Sequence, residues 1–81
     1  MNITVRLFAG LRCENKRLEC FGKNDFEHVL SQEMNLEEFL NCIGVSVQVA
    51  KIIFVNGLFK PLTYVLRDAD EISIFPPIGG G

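Results

Sequence analysis

The fold is decided by residues 35–44, NLEEFLNCIG, near the middle of the chain. Apolar side chains recur there at i, i+3, i+4 and i+7, which predicts an amphipathic helix with one apolar stripe. Asn35 and Glu38 have the spacing of a capping box, and Gly44 supplies a left-handed residue that ends the helix. Since so short a helix is marginal alone in water, we expect it to pack on a sheet. The stripe comprises Leu36, Phe39, Leu40 and Ile43.

Two strands are predicted before the helix. Residues 1–9 alternate apolar and polar side chains, which is typical of a half-buried strand, although Phe8 falls on the polar side. Residues 10–25 lack periodicity and predict a long connection with a short strand at 18–21. Residues 26–33 predict a second strand paired with the first.

More strands follow the helix. Residues 51–56, KIIFVN, are rich in β-formers and end in Asn56-Gly57, a strong hairpin signal that predicts a short return strand at 58–60. Residues 72–75 alternate again and predict the last strand. Two strands, a helix and further strands around one core indicate an α+β fold of the β-grasp, or ubiquitin-like, type. In that arrangement the first and last strands lie parallel at the centre of a mixed sheet, and one main helix crosses one face.

Composition narrows the function. The 81 residues suffice for one domain, which we expect to span 1–81 with 76–81 as a flexible C-terminal tail. A net charge of −2 argues against nucleic acid as a partner. Along the chain, a group of basic side chains precedes a group of acidic ones. This uneven distribution fits either a solvated surface or a charge asymmetry that steers a partner protein during docking. No membrane span or signal peptide is predicted, and a cytoplasmic location fits best.

Cysteine and histidine give no sign of a metal site. Cys13, Cys20 and Cys42 are odd in number and lack a C-x-x-C pair, so neither disulfides nor zinc are predicted, and free, inert thiols are expected. The single histidine, His28, has no partner at a trusted spacing and is expected to be structural or exposed. Asp68, Asp70 and Glu71 fit a solvated turn better than a cation site, because no calcium-loop pattern surrounds them. We therefore predict no metal.

The C-terminal segment 72–81, ISIFPPIGGG, carries no charged side chain. Pro76 and Pro77 fix two φ angles and remove two donors, so the last strand must end at Phe75 and continue as a stiff, extended segment. Gly79 to Gly81 lack Cβ atoms and span ~10 Å when extended, which suits a narrow channel in another protein.

Strand phase predicts an aromatic patch beside the tail. If the apolar side chains of the first and last strands face the helix, Phe8 and Phe75 both project from the opposite face. Because they would meet at the ends of neighbouring parallel strands, we expect an interface there. The predicted partner-binding residues are Phe8, Phe75, Pro76, Pro77 and Ile78.

The sequence resembles the ThiS/MoaD-like sulfur carrier family, most closely the molybdopterin synthase small subunit. The resemblance lies in 55–57 (VNG), 70–72 (DEI) and 75–81 (FPPIGGG). Two residues depart from the usual pattern: Gly79 replaces Ala, Ser or Thr, and Ala69 replaces glycine in the turn before the last strand. A positive φ at Ala69 would cost energy.

The resemblance implies a carrier rather than an enzyme. An ATP- and Mg-dependent adenylating enzyme of the ThiF/MoeB type would activate the C-terminal carboxylate of Gly81, and a sulfur donor, a cysteine desulfurase or rhodanese-like protein, would convert it to a thiocarboxylate. Gly79 and Gly80 would thread into the partner. In the molybdopterin branch that partner is the large subunit of molybdopterin synthase, and no cofactor is bound by the carrier itself.

The sequence leaves open three alternatives to a sulfur carrier for molybdopterin synthesis. The sulfur could go to thiamine or another metabolite, Gly81 could be joined to lysines of target proteins as in a ubiquitin-like modifier, or the chain could be an interaction domain without chemistry. The first two use the same activated tail. The third predicts that Gly80 and Gly81 are dispensable.

Overall fold

The computed structural model describes residues 1–50 and 52–77 of the chain. Its elements follow the predicted order of two strands, one helix and three strands. Their bounds are β1 Asn2–Leu7, β2 Asp25–Val29, α1 Leu36–Ile43, β3 Ile52–Val55, β4 Leu58–Phe59 and β5 Glu71–Phe75. No helix in these two ranges is long and apolar enough to cross a membrane.

The strands form one mixed sheet in the order β2-β1-β5-β3-β4. β1 and β5 are parallel neighbours at the centre, whereas the other pairs are antiparallel. The inward side chains of β1, β3 and β5 join the apolar stripe of α1 in a single core cluster. This arrangement confirms the predicted α+β, β-grasp fold with one helix packed across one face of the sheet.

The helix ends are built as their residues predict. The side chain of Asn35 accepts from the Glu38 N–H, and the Glu38 carboxylate accepts from the Asn35 N–H, both at 2.8 Å. Gly44 ends the helix in the left-handed conformation, with φ 78°. A Cβ at Gly44 would lie 3.1 Å from the backbone of Glu14, so glycine is needed there for space as well as for its φ angle.

The connection from β1 to β2 is held by backbone hydrogen bonds without forming a strand. The predicted strand at 18–21 is wrong: Leu18 N–H donates to the Asn15 carbonyl and Phe21 N–H to the Leu18 carbonyl, which are successive turns. The side chain of Asn15 also accepts from the Arg17 N–H at 3.0 Å and thereby favours a turn over an extended ladder.

β2 is shorter than the predicted 26–33. It ends at Val29. The Leu30 N–H still reaches the Met1 carbonyl at 2.7 Å, one residue beyond the strand pairing of Asn2 with Val29. β2 therefore ends where its pairing with β1 ends.

Candidate functional site

The candidate site lies where β5 ends and the C-terminal segment begins. β5 ends at Phe75, as the two following prolines predict, and Pro76 is half-buried while Pro77 is exposed. The predicted tail residues Ile78, Gly79, Gly80 and Gly81 lie outside the described residues. The site can therefore be built from the structure up to Pro77.

Phe8 and Phe75 stack on the outer face of the sheet, the face opposite α1. Their ring centroids are 4.5 Å apart and the ring planes differ by 7°. The Phe8 N–H donates to the Ile74 carbonyl at 3.0 Å, which extends the β1–β5 pairing by one residue and aligns the rings. The predicted juxtaposition of these two side chains is confirmed, and their role in partner binding stays a prediction.

Two further phenylalanines extend this stack across the sheet. Phe54 of β3 meets Phe75 edge-on at 5.9 Å, and Phe59 of β4 meets Phe54 edge-on at 6.1 Å. Phe8 is 38% exposed and Phe59 63% exposed, so the rings remain largely open to solvent at both ends. We call these four residues, Phe8, Phe75, Phe54 and Phe59, the aromatic band.

Sequence reasoning missed Phe54 and Phe59, although a signal was present. In KIIFVN the buried residues of β3 are Ile53 and Val55, which places Phe54 on the outer face by strand alternation. The Asn56-Gly57 turn then sets Phe59 opposite Phe54. What the sequence lacked was the neighbour relation between β3 and β5, which brings Phe54 to Phe75.

The aromatic band occupies only part of the outer face. Towards the start of β5 the same face carries polar pairs, with Thr4 opposite Glu71 and Arg6 opposite Ser73. The apolar surface is thus concentrated at the end of β5 from which the C-terminal segment leaves. Such a local apolar patch, rimmed by polar groups, is typical of an interaction surface.

The start of β5 is built around Asp70, whose carboxylate accepts three hydrogen bonds of 2.9 Å. The donors are the Asn56 Nδ2, the Tyr64 hydroxyl and the Arg67 N–H. Asp70 is only 4% exposed, so the prediction of a solvated turn is wrong at this position. The buried carboxylate is retained because each donor compensates part of its desolvation.

The neighbours of Asp70 behave differently. Asp68 is exposed and accepts one bond, from the Asn2 N–H at 2.8 Å. Among the residues described, no cluster of His, Cys, Asp or Glu has the geometry of a metal site. Ala69 adopts φ 71°, the left-handed conformation that its position before the last strand leads one to expect.

Asn56 joins the hairpin to β5. Its side-chain oxygen accepts from the Glu71 N–H at 2.9 Å, and its own N–H donates to the Glu71 carbonyl at 2.8 Å. The segments 55–57 and 70–72, which carried the family resemblance, are therefore bonded to each other. Burial and the bond to Asp70 raise the pKa of Tyr64, and the Lys60 ammonium lies 5.2 Å from its ring centroid.

The cysteines and the histidine belong to the body of the domain. Cys13 and Cys20 are buried, Cys42 is half-buried, and all three are free thiols. Burial, together with the neighbouring Cys13, raises the pKa of Cys20 to about 12, which makes its thiol a poor nucleophile at neutral pH. His28 is half-buried, with its ring 5.6 Å from that of Phe39, and burial lowers its pKa.

Comparisons with known proteins agree with this fold. A search of curated proteins gives no match. SAMP1 from Haloferax volcanii has a similar structure, with a TM-score of 0.66 at 18% identity over 100% of both chains. A candidate molybdopterin converting factor, subunit 1, from Pyrococcus furiosus has a TM-score of 0.64 at 21% identity, covering 95% of this chain and 98% of that one.

At such identities the two solved structures show a shared fold. The family assignment comes from the sequence itself, because the model of the ThiS family matches residues 5–81. That range includes both hydrogen-bonded segments at the start of β5, Phe75 at its end and the glycine terminus. The chain belongs to the ThiS family.

Proposed function

We propose that this protein is a sulfur carrier whose reactive group is the C-terminal carboxylate of Gly81. One observation carries this role most directly: the family match runs through residue 81 and includes the glycines that follow Pro77. The end of β5 at Phe75 and the proline pair, which leaves the sheet there, support a terminus directed away from the core.

The chemistry begins with a carboxylate, which is a poor electrophile until one oxygen becomes a leaving group. An adenylating enzyme of the ThiF/MoeB type joins this oxygen to AMP and releases pyrophosphate from Mg-ATP. A persulfide from the sulfur donor then attacks the carbonyl carbon and displaces AMP. Cleavage of the resulting sulfur–sulfur bond by a second thiol leaves the thiocarboxylate, which is the cargo.

The aromatic band is proposed as the docking surface for these partners. Its four rings lie beside the strand that leads into the tail, and aromatic side chains are enriched at the centres of interfaces. Docking there would bring the glycine terminus within reach of the partner's active site. Pro76, Pro77 and Ile78 would then guide the tail, with Gly79 and Gly80 in the narrowest part.

Molybdopterin synthesis is the proposed destination of the sulfur. The choice rests on Phe75-Pro76-Pro77, since the proline pair is the feature that resembles the molybdopterin branch more than the thiamine branch. In that pathway the large subunit of molybdopterin synthase receives the tail, and the thiocarboxylate gives its sulfur to a pterin precursor.

Intact mass spectrometry tests the carrier role. The full chain is incubated with Mg-ATP, the adenylating enzyme and a persulfide donor, beside a variant lacking Gly80 and Gly81. We expect the full chain to gain the mass of one oxygen-to-sulfur exchange at its C-terminus and the shortened chain to remain unchanged. Absence of both adenylate and thiocarboxylate on the full chain would contradict the carrier role, whereas cellular lysines carrying the C-terminal tryptic segment 68–81 through an isopeptide bond to Gly81 would favour a protein modifier.

The pathway is tested separately. Thiocarboxylated chain is mixed with the large subunit and a pterin precursor, and dithiolene formation is followed together with the return of the Gly81 carboxylate. Transfer to a thiazole-forming enzyme instead would leave the carrier role intact and move the pathway to thiamine.

A further inference from the structure

Asn56-Gly57 combines a structural role with a chemical weakness. Of the six asparagines in the chain, this one alone precedes glycine. Asparagine is among the thermolabile residues, and a following glycine, lacking a Cβ, lets its own nitrogen approach the side chain. In the reaction Gly57 N bonds to Cγ of Asn56, the Cγ–Nδ2 bond breaks, and the nitrogen leaves as ammonia with the Gly57 proton. Water then opens the cyclic imide to an aspartyl or isoaspartyl residue.

Solvent has free access to this turn. Asn56 and Gly57 are both exposed, with φ angles of 53° and 83°, and nothing lies within 4 Å of the place where a Cβ of Gly57 would be. These angles are those of a type I′ hairpin turn. Burial therefore does not shield the labile bond.

The hydrogen bonds of the Asn56 side chain do restrain it. Its oxygen accepts from the Glu71 N–H and its nitrogen donates to the Asp70 carboxylate, each at 2.9 Å. Ring closure makes Cγ tetrahedral and moves both polar atoms away from these partners. The reaction thus requires the start of β5 to release the side chain first.

We propose that Asn56 is a deamidation site whose reaction is prevented in the folded chain by its hydrogen bonds to Asp70 and Glu71. Conversion of Asn56 therefore marks chains in which the start of β5 has separated from the β3–β4 hairpin. This inference is independent of the sulfur carrier role. It assigns the turn a second property, a limit on the working lifetime of the folded chain.

The product prevents the network from forming again. An aspartate at position 56 places a carboxylate oxygen where Nδ2 now donates, 2.9 Å from Asp70 Oδ1. Two carboxylates so close cannot both be ionised, and Asp70 is nearly inaccessible to water. A released chain that deamidates is therefore trapped in a destabilised form.

Deamidation rates test the restraint. The full chain is incubated at mildly alkaline pH, natively and in urea, and peptide mass spectrometry follows the amide-to-acid conversion at each asparagine. In urea we expect Asn56 to convert fastest. Natively it should be at least about tenfold slower, and Tyr64→Phe, which removes one donor to Asp70, should raise the native rate by about tenfold while the urea rate stays unchanged.

Two results would overturn the proposal: equal native and urea rates in the natural chain, or a folded Tyr64→Phe variant that deamidates no faster. The product is tested with Asn56→Asp against Asn56→Gly, which keeps the left-handed turn without a charge. Asn56→Asp should have the lower melting temperature at pH 7, because its carboxylate would lie against that of Asp70. An Asn56→Asp variant as stable as Asn56→Gly at pH 7 would show that the product does not trap the open form.

Discussion

The two ends of β5 differ in chemistry, since one is organised around a buried polar group and the other around aromatic side chains. At its start, Asp70 is buried and accepts three hydrogen bonds, whereas at its end Phe75 is half-buried and stacks on Phe8. At the start of β5 the polar groups are hydrogen-bonded to each other within the protein. At its end, apolar surface is left exposed beside the tail. Within one strand, residues that hold the fold and residues available for a partner are thus separated by only a few positions, and substitutions at the two ends should have different consequences.

Asp70→Ala should have the largest effect, and it should fall on stability. The change leaves the Asn56 amide, the Tyr64 hydroxyl and the Arg67 N–H without their acceptor, so the free energy of unfolding is expected to fall by about 3 kcal/mol. Urea denaturation followed by circular dichroism measures this.

Asp68→Ala is the matched control, because Asp68 lies two residues earlier, is exposed and accepts a single bond. It should cost less than about 1 kcal/mol. If both variants lost the same stability, the Asp70 network would not be what fixes the start of β5.

Phe75→Ala should act mainly on binding. Removing the ring that contacts both Phe8 and Phe54 is expected to weaken binding to the large subunit by at least ~1 kcal/mol in calorimetry. Val29→Ala is the control, since Val29 is 70% exposed and lies on the opposite edge strand. Unchanged affinity for Phe75→Ala, or an equal loss of affinity for Val29→Ala, would show that the aromatic band is not part of the interface.

Ala69→Gly should stabilise the start of β5 slightly. Ala69 has φ 71°, which glycine adopts without the Cβ penalty, and after the greater backbone entropy of glycine is subtracted a gain of about 0.5 kcal/mol is expected. Ala50→Gly at a buried position without positive φ should instead destabilise the fold. A loss of stability in Ala69→Gly would mean that the left-handed residue carries no strain.

His28→Gln should give the smallest effect, visible in the pH dependence of stability. Burial lowers the pKa of His28, so the unfolded chain binds a proton more readily than the folded chain. The natural protein should therefore lose stability as pH falls below about 6.5, and the variant should lose less over that range. Parallel melting curves for the two proteins between pH 7 and 5 would contradict this.

Sequence periodicity predicted the helix and the strands well, because each depends on neighbouring residues. The cap formed by Asn35 and Glu38 and the stop at Gly44 are local in the same sense, and both are confirmed. The turns at 18–21 follow a local signal that periodicity does not capture, the Asn15 side chain that accepts from the Arg17 N–H at 3.0 Å, whereas the end of β2 at Val29 depends on its pairing with β1. Local patterns do not contain information on that pairing.

The candidate site was predictable to the same extent. Phe8 and Phe75 could be paired because the element order indicated a β-grasp arrangement, in which the first and last strands lie side by side and parallel. Phe54 and the burial of Asp70 required a further relation, the pairing of β3 with β5, together with the position of Tyr64. A carboxylate in a polar turn is predicted to be solvated when the groups that surround it in the fold are not known.

The bond between Tyr64 and Asp70 also gives the protein its own optical reporter. The chain has one tyrosine and no tryptophan, so its intrinsic ultraviolet emission comes from a single phenol that donates to a carboxylate at 2.9 Å. Such a bond quenches tyrosine emission. Brightening should therefore report the loss of the Tyr64–Asp70 hydrogen bond in real time, without any dye, as the chain unfolds.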